Sequence, residues 1–261
     1  LVSEVGGNDK TIGFVSETYE EPQGEDAEPD LVCFDPSRAE FRGFGYQDGS
    51  KVVIREVAYH LDGYGHTTWE AGIALSAWVK ANSGELSGQR VLELGSGCGL
   101  AGLSAAQVCG SMVLTDWGGD LDESGMTASS SSPSGLNQPQ ELLANLRFNA
   151  RMNARRGGRA SVERRDWYDC LEPGFQTEQF GLIIGSDLLY EEEAIAPLFA
   201  AVQGHVREGG TMLLMSPADP NLSRCALNQR LVGLLQGAEG GSVTTEPLRL
   251  EYYESLGALG E

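Results

Sequence analysis

The sequence predicts an α/β fold: a mostly parallel sheet with helices on both faces, preceded by a β-hairpin. Three observations predict it. Apolar runs of strand length alternate with stretches of helical periodicity from residue 69 to residue 235, and strands joined through helices run parallel with the helices distributed over both faces. Three glycines at alternate positions follow the first of these strands, in 91-VLELGSGCGLAGLSAAQVCGSMVLTD-116, at the edge where open α/β sheets bind ligands. Ahead of the alternation, 51-KVVIREVAY-59 alternates and is rich in β-branched residues, the pattern of an antiparallel strand.

The elements follow in order. Residues 1–30 hold nine acids against Lys10; such a segment buries too little apolar surface to offset its chain entropy and is expected to be a flexible arm. The domain is expected over 31–261, opening with short antiparallel strands in 31–63 (LVCF, FRGFGY, KVVIREVAY) that form a hairpin or flap. In 69-WEAGIALSAWVKAN-82 the residues Ile73, Leu75, Ala77, Trp78 and Val79 fall at helical spacing, with Thr67 or Thr68 available as N-cap. Strands are predicted at 91–94, 111–115, 160–163, 181–185 and 211–216, and helices at 100–108, 139–153, 191–206 and 224–235. Pro139 suits a first helical turn, and Glu191, Glu192 and Glu193 suit the positive end of a helix dipole. The run 118-GGDLDESGMTASSSSPSGLNQ-138 is Ser/Gly-rich and reads as a surface insertion, and strands within 242–253 close the chain.

Bulk properties exclude several classes. The 261 residues are 41% hydrophobic, enough for one α/β core. No run approaches the roughly 18 apolar residues of a membrane span, so no membrane partner is expected. A net charge of −20 repels nucleic-acid phosphates and favours cationic or lysine-rich partners. Seven of the 18 basic residues lie between Arg147 and Arg165, most simply a solvated arginine-rich face. Five scattered cysteines (33, 98, 109, 170, 225) form no C-x-x-C pair, which points to reduced thiols and a cytoplasmic, or alternatively nuclear, setting. Three dispersed histidines give no metal site, and a monomer is expected.

Two frames compete for the glycines. Gly97-x-Gly99-x-x-Gly102 matches a dinucleotide fingerprint, with Asp116 near the place of a ribose-binding acid. That frame begins late and omits Gly95. The frame Glu93-x-Gly95-x-Gly97-x-Gly99 starts on the strand itself and suits a sulfonium nucleoside, S-adenosylmethionine, which carries no phosphate; the glycines then serve close approach rather than anion capture. Asp116, at the end of the next strand, could accept both ribose hydroxyls; its plainer role is a loop or cap aspartate.

With these pieces in place the sequence resembles the seven-strand S-adenosylmethionine-dependent methyltransferases, and within them methyltransferase family 16, the non-SET protein-lysine methyltransferases. The resemblance is carried by 65-GHTTWEAGIALSAWV-79, 91-VLELGSGCGLAGL-103, 113-VLTDW-117, 141-ELLANLRFN-149, 166-DW-167 and 180-FGLIIGSDLLYEEEAIAPL-198, and spans roughly residues 50–235. It implies a Rossmann-like, seven-stranded, mostly parallel sheet and S-adenosylmethionine as cofactor. It further implies that Trp69, Gly95, Ser96 and Gly97 meet the methionine and ribose portions, with Glu93 beginning the motif. Asp116, followed by Trp117, would hold the ribose, Trp167 would pack on the adenine with Asp166 near its amine, and Ser186 would line the pocket. Trp69 and Trp167 could equally be core aromatics.

Within 187-DLLY-190 the resemblance implies the catalytic pair. Asp187 and Tyr190 would emerge at the ligand edge, where a carboxylate and a phenol ring suit a lysine ammonium on a protein substrate. The amine must lose a proton before attacking the methyl, and positioning should supply most of the rate. The plainer role for Asp187 is the cap of the helix expected at 191–206. Other classes stay open: transfer to a protein histidine or a small amine, a non-catalytic binding module, or an NAD-linked oxidoreductase. The 118–138 insertion and the acidic arm depart from the family pattern.

Overall fold

The computed structural model describes residues 39–57, 64–117, 138–154, 159–175, 177–217, 221–238 and 241–244. The acidic arm, the LVCF strand and all but the last residue of the 118–138 insertion lie outside them. So does most of 242–253, and residues 242–244 form no strand.

The hairpin pairs β1 (Ala39–Gly45) with β2 (Lys51–Val57) in antiparallel register from Ala39↔Val57 to Gly45↔Lys51. Its turn is local chemistry. Asp48 Oδ1 accepts the Ser50 N–H at 2.9 Å, and Gly49 takes φ +80°, a conformation open to glycine without strain.

The elements that follow are α1 (Glu70–Ala81), a short α2 (Ser83–Leu86), β3 (Arg90–Glu93), α3 (Leu100–Ala105), β4 (Ser111–Asp116), α4 (Gln138–Ala154), β5 (Ala160–Arg164), β6 (Phe180–Ser186), α5 (Ile195–His205), β7 (Val206–Met215) and α6 (Ser223–Gly237). Five of the strands form a parallel sheet in the order β5-β4-β3-β6-β7; the hairpin is a separate two-stranded sheet, so the described residues hold seven strands in all and five of the seven expected in the main sheet. The order reverses between β3 and β6, which opens a crevice at their carboxyl ends.

Alternation along the strands sorts side chains to the two faces. Val91, Met112, Leu114, Leu182 and Ile184 pack against Leu75, Val79 and Leu103 of α1 and α3 together with Ile54 of the hairpin. Leu92, Val113 and Ile183 pack on the other face against Leu198, Val202 and Leu231 of α5 and α6. Burying side chains of this size contributes about 1.5–3 kcal/mol each, which fixes the sheet beneath the crevice.

The hairpin is fastened to α4 by an asparagine ladder at i, i+4, i+8. Asn153 bonds both Val53 N–H (3.0 Å) and Val53 C=O (2.7 Å), and Asn149 bonds Arg55 N–H (2.8 Å) and Arg55 C=O (3.1 Å). Asn145 adds the Arg55 side chain (2.8 Å) and its C=O (3.1 Å).

Some boundaries differ from expectation. Trp69, not Thr67 or Thr68, stands at the N-cap of α1 and makes no side-chain cap bond; the Thr68 N–H is instead taken by Glu56 Oε1 at 3.1 Å. The helix expected from Glu191 begins at Ile195, after a 3₁₀ turn over Glu192–Ala194. Pro197 explains the shift: it lacks the N–H that would bond the carbonyl of Glu193, so it fits only a first turn. β7 begins five residues early, through an irregular pairing between Phe180 and Leu182 in which Gly209 takes φ +68°.

Candidate active site

The crevice between β3 and β6 is a cavity of about 670 Å³, within the range of small-molecule sites. Among its lining residues are ten of the twelve expected from sequence on the cofactor and catalytic sides: Trp69, Glu93, Gly95, Ser96, Gly97, Asp116, Trp117, Asp166, Trp167 and Ser186. Asp187 and Tyr190 complete the twelve. The adjacency of β3, β4 and β6 in the sheet brings Glu93, Asp116 and Ser186 to one edge, and the start of α1 adds Trp69.

Gly95, Gly97 and Gly99 all have positive φ (61°, 54°, 88°), which alone selects glycine. Packing adds a second reason. A Cβ on Gly95 would meet Leu188 at 2.8 Å, and one on Gly97 would meet the Gly65 carbonyl at 3.1 Å. The bareness of the turn therefore serves the protein's own packing as well as any close approach of a ligand. The turn also uses its N–H groups internally: Ser96 N–H donates to Thr115 C=O (2.9 Å), Gly97 N–H to Asp116 Oδ2 (2.7 Å) and Gly99 N–H to Ser96 C=O (2.7 Å). A phosphate would need such donors free.

Asp116 is 7% exposed and accepts a second main-chain bond, from Trp117 N–H at 2.8 Å. Burial outweighs these bonds and pushes its carboxyl up to about 6. Glu93, one strand away, is pushed up to about 8 by burial, with the Asp116 charge adding. Ser96 Oγ accepts the Thr115 N–H at 3.0 Å, so this hydroxyl is part of the turn's framework.

Across the cavity, Asp166 caps the 3₁₀ turn Trp167–Leu171 by accepting the Tyr168 N–H at 3.0 Å. Trp167 is half-buried beside Gly95, whereas Trp117 is largely exposed at the rim. Tyr168, which also lines the cavity and is exposed, was not singled out from sequence; its only signal is its place after the Asp-Trp pair.

Asp187 follows β6 with φ +51°, the one non-glycine residue with positive φ among those described. Its N–H donates to Met215 C=O at 2.8 Å, so the strained backbone is fixed to β7. Its side chain does not cap α5. Oδ2 accepts from Arg224, while Oδ1 is buried without a hydrogen-bond partner. Burial raises its carboxyl above the ordinary range, Arg224 opposing and Glu70 adding. Tyr190 is 38% exposed, with the Arg224 guanidinium 5.7 Å from its ring centroid.

Residues 47–124 match the family model described as lysine methyltransferase. The chain is similar to the protein N-lysine methyltransferase METTL21A of Danio rerio, 26% identical over 156 residues, covering 59% of this chain and 61% of that protein. The human protein-lysine N-methyltransferase EEF2KMT is 26% identical over 175 residues, covering 62% of this chain and 47% of that protein. The mouse electron transfer flavoprotein beta subunit lysine methyltransferase is 26% identical over 180 residues, covering 68% and 59%. The chain thus spans about half to three fifths of the length of these lysine methyltransferase relatives.

No described helix is long and apolar enough to cross a membrane. No described cluster of His, Cys, Asp and Glu could hold a metal ion.

Proposed function

We propose that this protein transfers methyl groups from S-adenosylmethionine to the side-chain amine of a lysine on a protein substrate. The observation that carries it is the meeting, in one cavity, of the prefolded glycine turn with Asp116 on one side and of Asp187 with Tyr190 on the other. The match of residues 47–124 to the lysine methyltransferase family model and the names of the similar proteins support the same substrate class.

The residues present fit this cofactor. The charged groups of the lining are mainly acidic, with Asp116, Asp166, Asp187 and Glu191 against Arg165, which suits a sulfonium cation better than a pyrophosphate. Asp116 has one main-chain bond on each oxygen and keeps lone pairs for the ribose hydroxyls. Trp167 offers a flat face to the adenine and Asp166 an acceptor to its amine. Trp69, Gly95, Ser96 and Gly97 would bound the methionine end, the serine through its main chain, and Ser186 would close the pocket floor.

When bound, S-adenosylmethionine supplies an electrophilic methyl: a C–N bond forms as the S–C bond breaks, and its electron pair stays on sulfur to leave S-adenosylhomocysteine. The chain's part is positioning and proton removal. Asp187 orients the lysine nitrogen and takes its proton, and the exposed Tyr190 ring guides the aliphatic stem and its cation into the crevice. The four described cysteines are free thiols, which supports a reducing, cytoplasmic or nuclear setting, and we place the enzyme there as a monomer.

Incubation with methyl-labelled S-adenosylmethionine and a cell extract, followed by mass spectrometry of the labelled residue, tests the proposal. Label on lysine is the expected outcome. Label on histidine or on small amines only, or no titration heat with S-adenosylmethionine, would overturn it.

A further inference from the structure

Arg224 lies in the first turn of α6 and does not itself line the cavity. It touches both residues of the catalytic pair, through Asp187 Oδ2 and across the Tyr190 ring. The two Asp187 oxygens are thereby made unequal. Oδ2 is held by the guanidinium, and Oδ1 is buried, 94% of the residue being out of solvent, with no hydrogen-bond partner. A buried acceptor without a partner costs stability. It persists here because the Asp187 N–H is fastened to Met215 C=O and Oδ2 to α6, so the carboxylate cannot turn to satisfy itself. Such an oxygen, on a residue lining the cavity, is an acceptor waiting for a donor from outside.

We propose that Arg224 is a positioning residue for methyl transfer: by holding Asp187 Oδ2 it presents Oδ1 to the incoming lysine amine. The proposal rests on the lysine methyltransferase function given above. The ammonium gives one proton to Oδ1, and the neutral nitrogen's lone pair then forms the N–C bond while the electron pair of the breaking S–C bond remains on sulfur. The proton on Oδ1 passes to solvent once the methylated product leaves. Arg224 has a second effect on the same step. The charged groups facing Asp187 are Arg224 from α6 and Glu70 from α1, with Glu191 next along its own loop; burial and Glu70 favour the protonated carboxyl, and Arg224 alone opposes them. A second α6 contact, Arg230 to Glu192 at 2.8 Å, bridges the helix and that loop at the solvent-exposed surface.

The test uses the full chain with Arg224→Ala, Arg224→Gln and Arg224→Lys. Methyl transfer is followed as a function of pH, and the carboxyl carbons of carbon-13-labelled aspartate are titrated by NMR without cofactor, with Asp187→Asn giving the assignment. Asp187 must be ionised to accept the proton, so activity is lost as pH falls through its pKa. Without the arginine that pKa rises, and the acid limb and the carbon-13 midpoint of Arg224→Ala should both move up by about one pH unit or more. kcat should fall about tenfold or more with KM little changed, and Arg224→Lys should restore the midpoint. Arg224→Gln keeps a donor without the charge and carries the test if the alanine variant does not bind S-adenosylmethionine like wild type. An unshifted carbon-13 midpoint would overturn the proposal, as would a rate equal to or above wild type, which would make Arg224 a plug in the lysine's place. Wild type that transfers no methyl would sink the parent function instead, while the titration would still report the Arg224–Asp187 coupling.

Discussion

The Gly97 N–H donates to Asp116 Oδ2 at 2.7 Å, joining the turn after β3 to the end of β4 across 19 residues of sequence. The carboxylate proposed to hold the ribose is thus also a strut of the turn that lies under it. Asp116→Ala should leave the Gly97 and Trp117 N–H groups without their acceptor, at roughly 1–3 kcal/mol each where they stay dry. It should lower the melting temperature and weaken S-adenosylmethionine binding at least tenfold by titration calorimetry. Wild-type affinity in this variant would remove Asp116 from the cofactor site.

Glu93 and Asp116 give the fold a pH dependence of definite sign. Their carboxyls are raised to about 8 and about 6 from 4.5 and 3.8, so the folded chain keeps protons that the unfolded chain releases. The Glu93 contribution is fully present below about pH 4.5 and is lost as pH rises through 8. His205 is shifted downward by burial and works the other way in acid, so the clean window lies above pH 6.5. There, wild-type melting temperature should fall toward pH 8 and that of Glu93→Gln should stay level. Parallel curves for the two proteins would rule out a protonated Glu93.

Asp187→Asn should separate binding from chemistry. Asparagine tolerates the left-handed backbone at this position and matches the aspartate in shape, yet it cannot take a proton. kcat should fall by about 10²–10⁴, with S-adenosylmethionine affinity within a factor of a few of wild type. Retention of full activity would show that solvent removes the proton.

The asparagine ladder should be worth measuring on its own. Asn149 is fully buried and bonds Arg55 N–H, Arg55 C=O and Cys98 C=O (3.0 Å). Asn149→Ala strips partners from buried main-chain groups in two elements and should lower urea-unfolding stability by roughly 2–4 kcal/mol. A loss below about 1 kcal/mol would mean that water reaches the edge of β2.

Most of the fold, and the residues that line the cavity, were legible in the sequence, for physical reasons that differ by residue. Strand and helix periods placed the strands, and the Glu93-to-Gly99 frame placed the turn, because positive φ admits little but glycine. Asp187 and Tyr190 came from the resemblance, since their meeting with the turn depends on β6 lying beside β3. Arg224 was not legible. It is 37 residues from Asp187, and an arginine opening an amphipathic helix has no local mark that tells a solvated residue from a partner of the site. The asparagines at 145, 149 and 153 were equally silent: a polar stripe on a helix reads as a wet face, and only the tertiary fold shows that it meets a strand.

That stripe has a further consequence. β2 has β1 on one side, and its other side would be a bare strand edge with main-chain donors and acceptors at Val53 and Arg55. Side-chain amides occupy those groups at the spacing a neighbouring strand would use. A second molecule therefore finds no open template for strand-to-strand pairing on that side of β2, where three asparagines, rather than charge or proline, guard the edge.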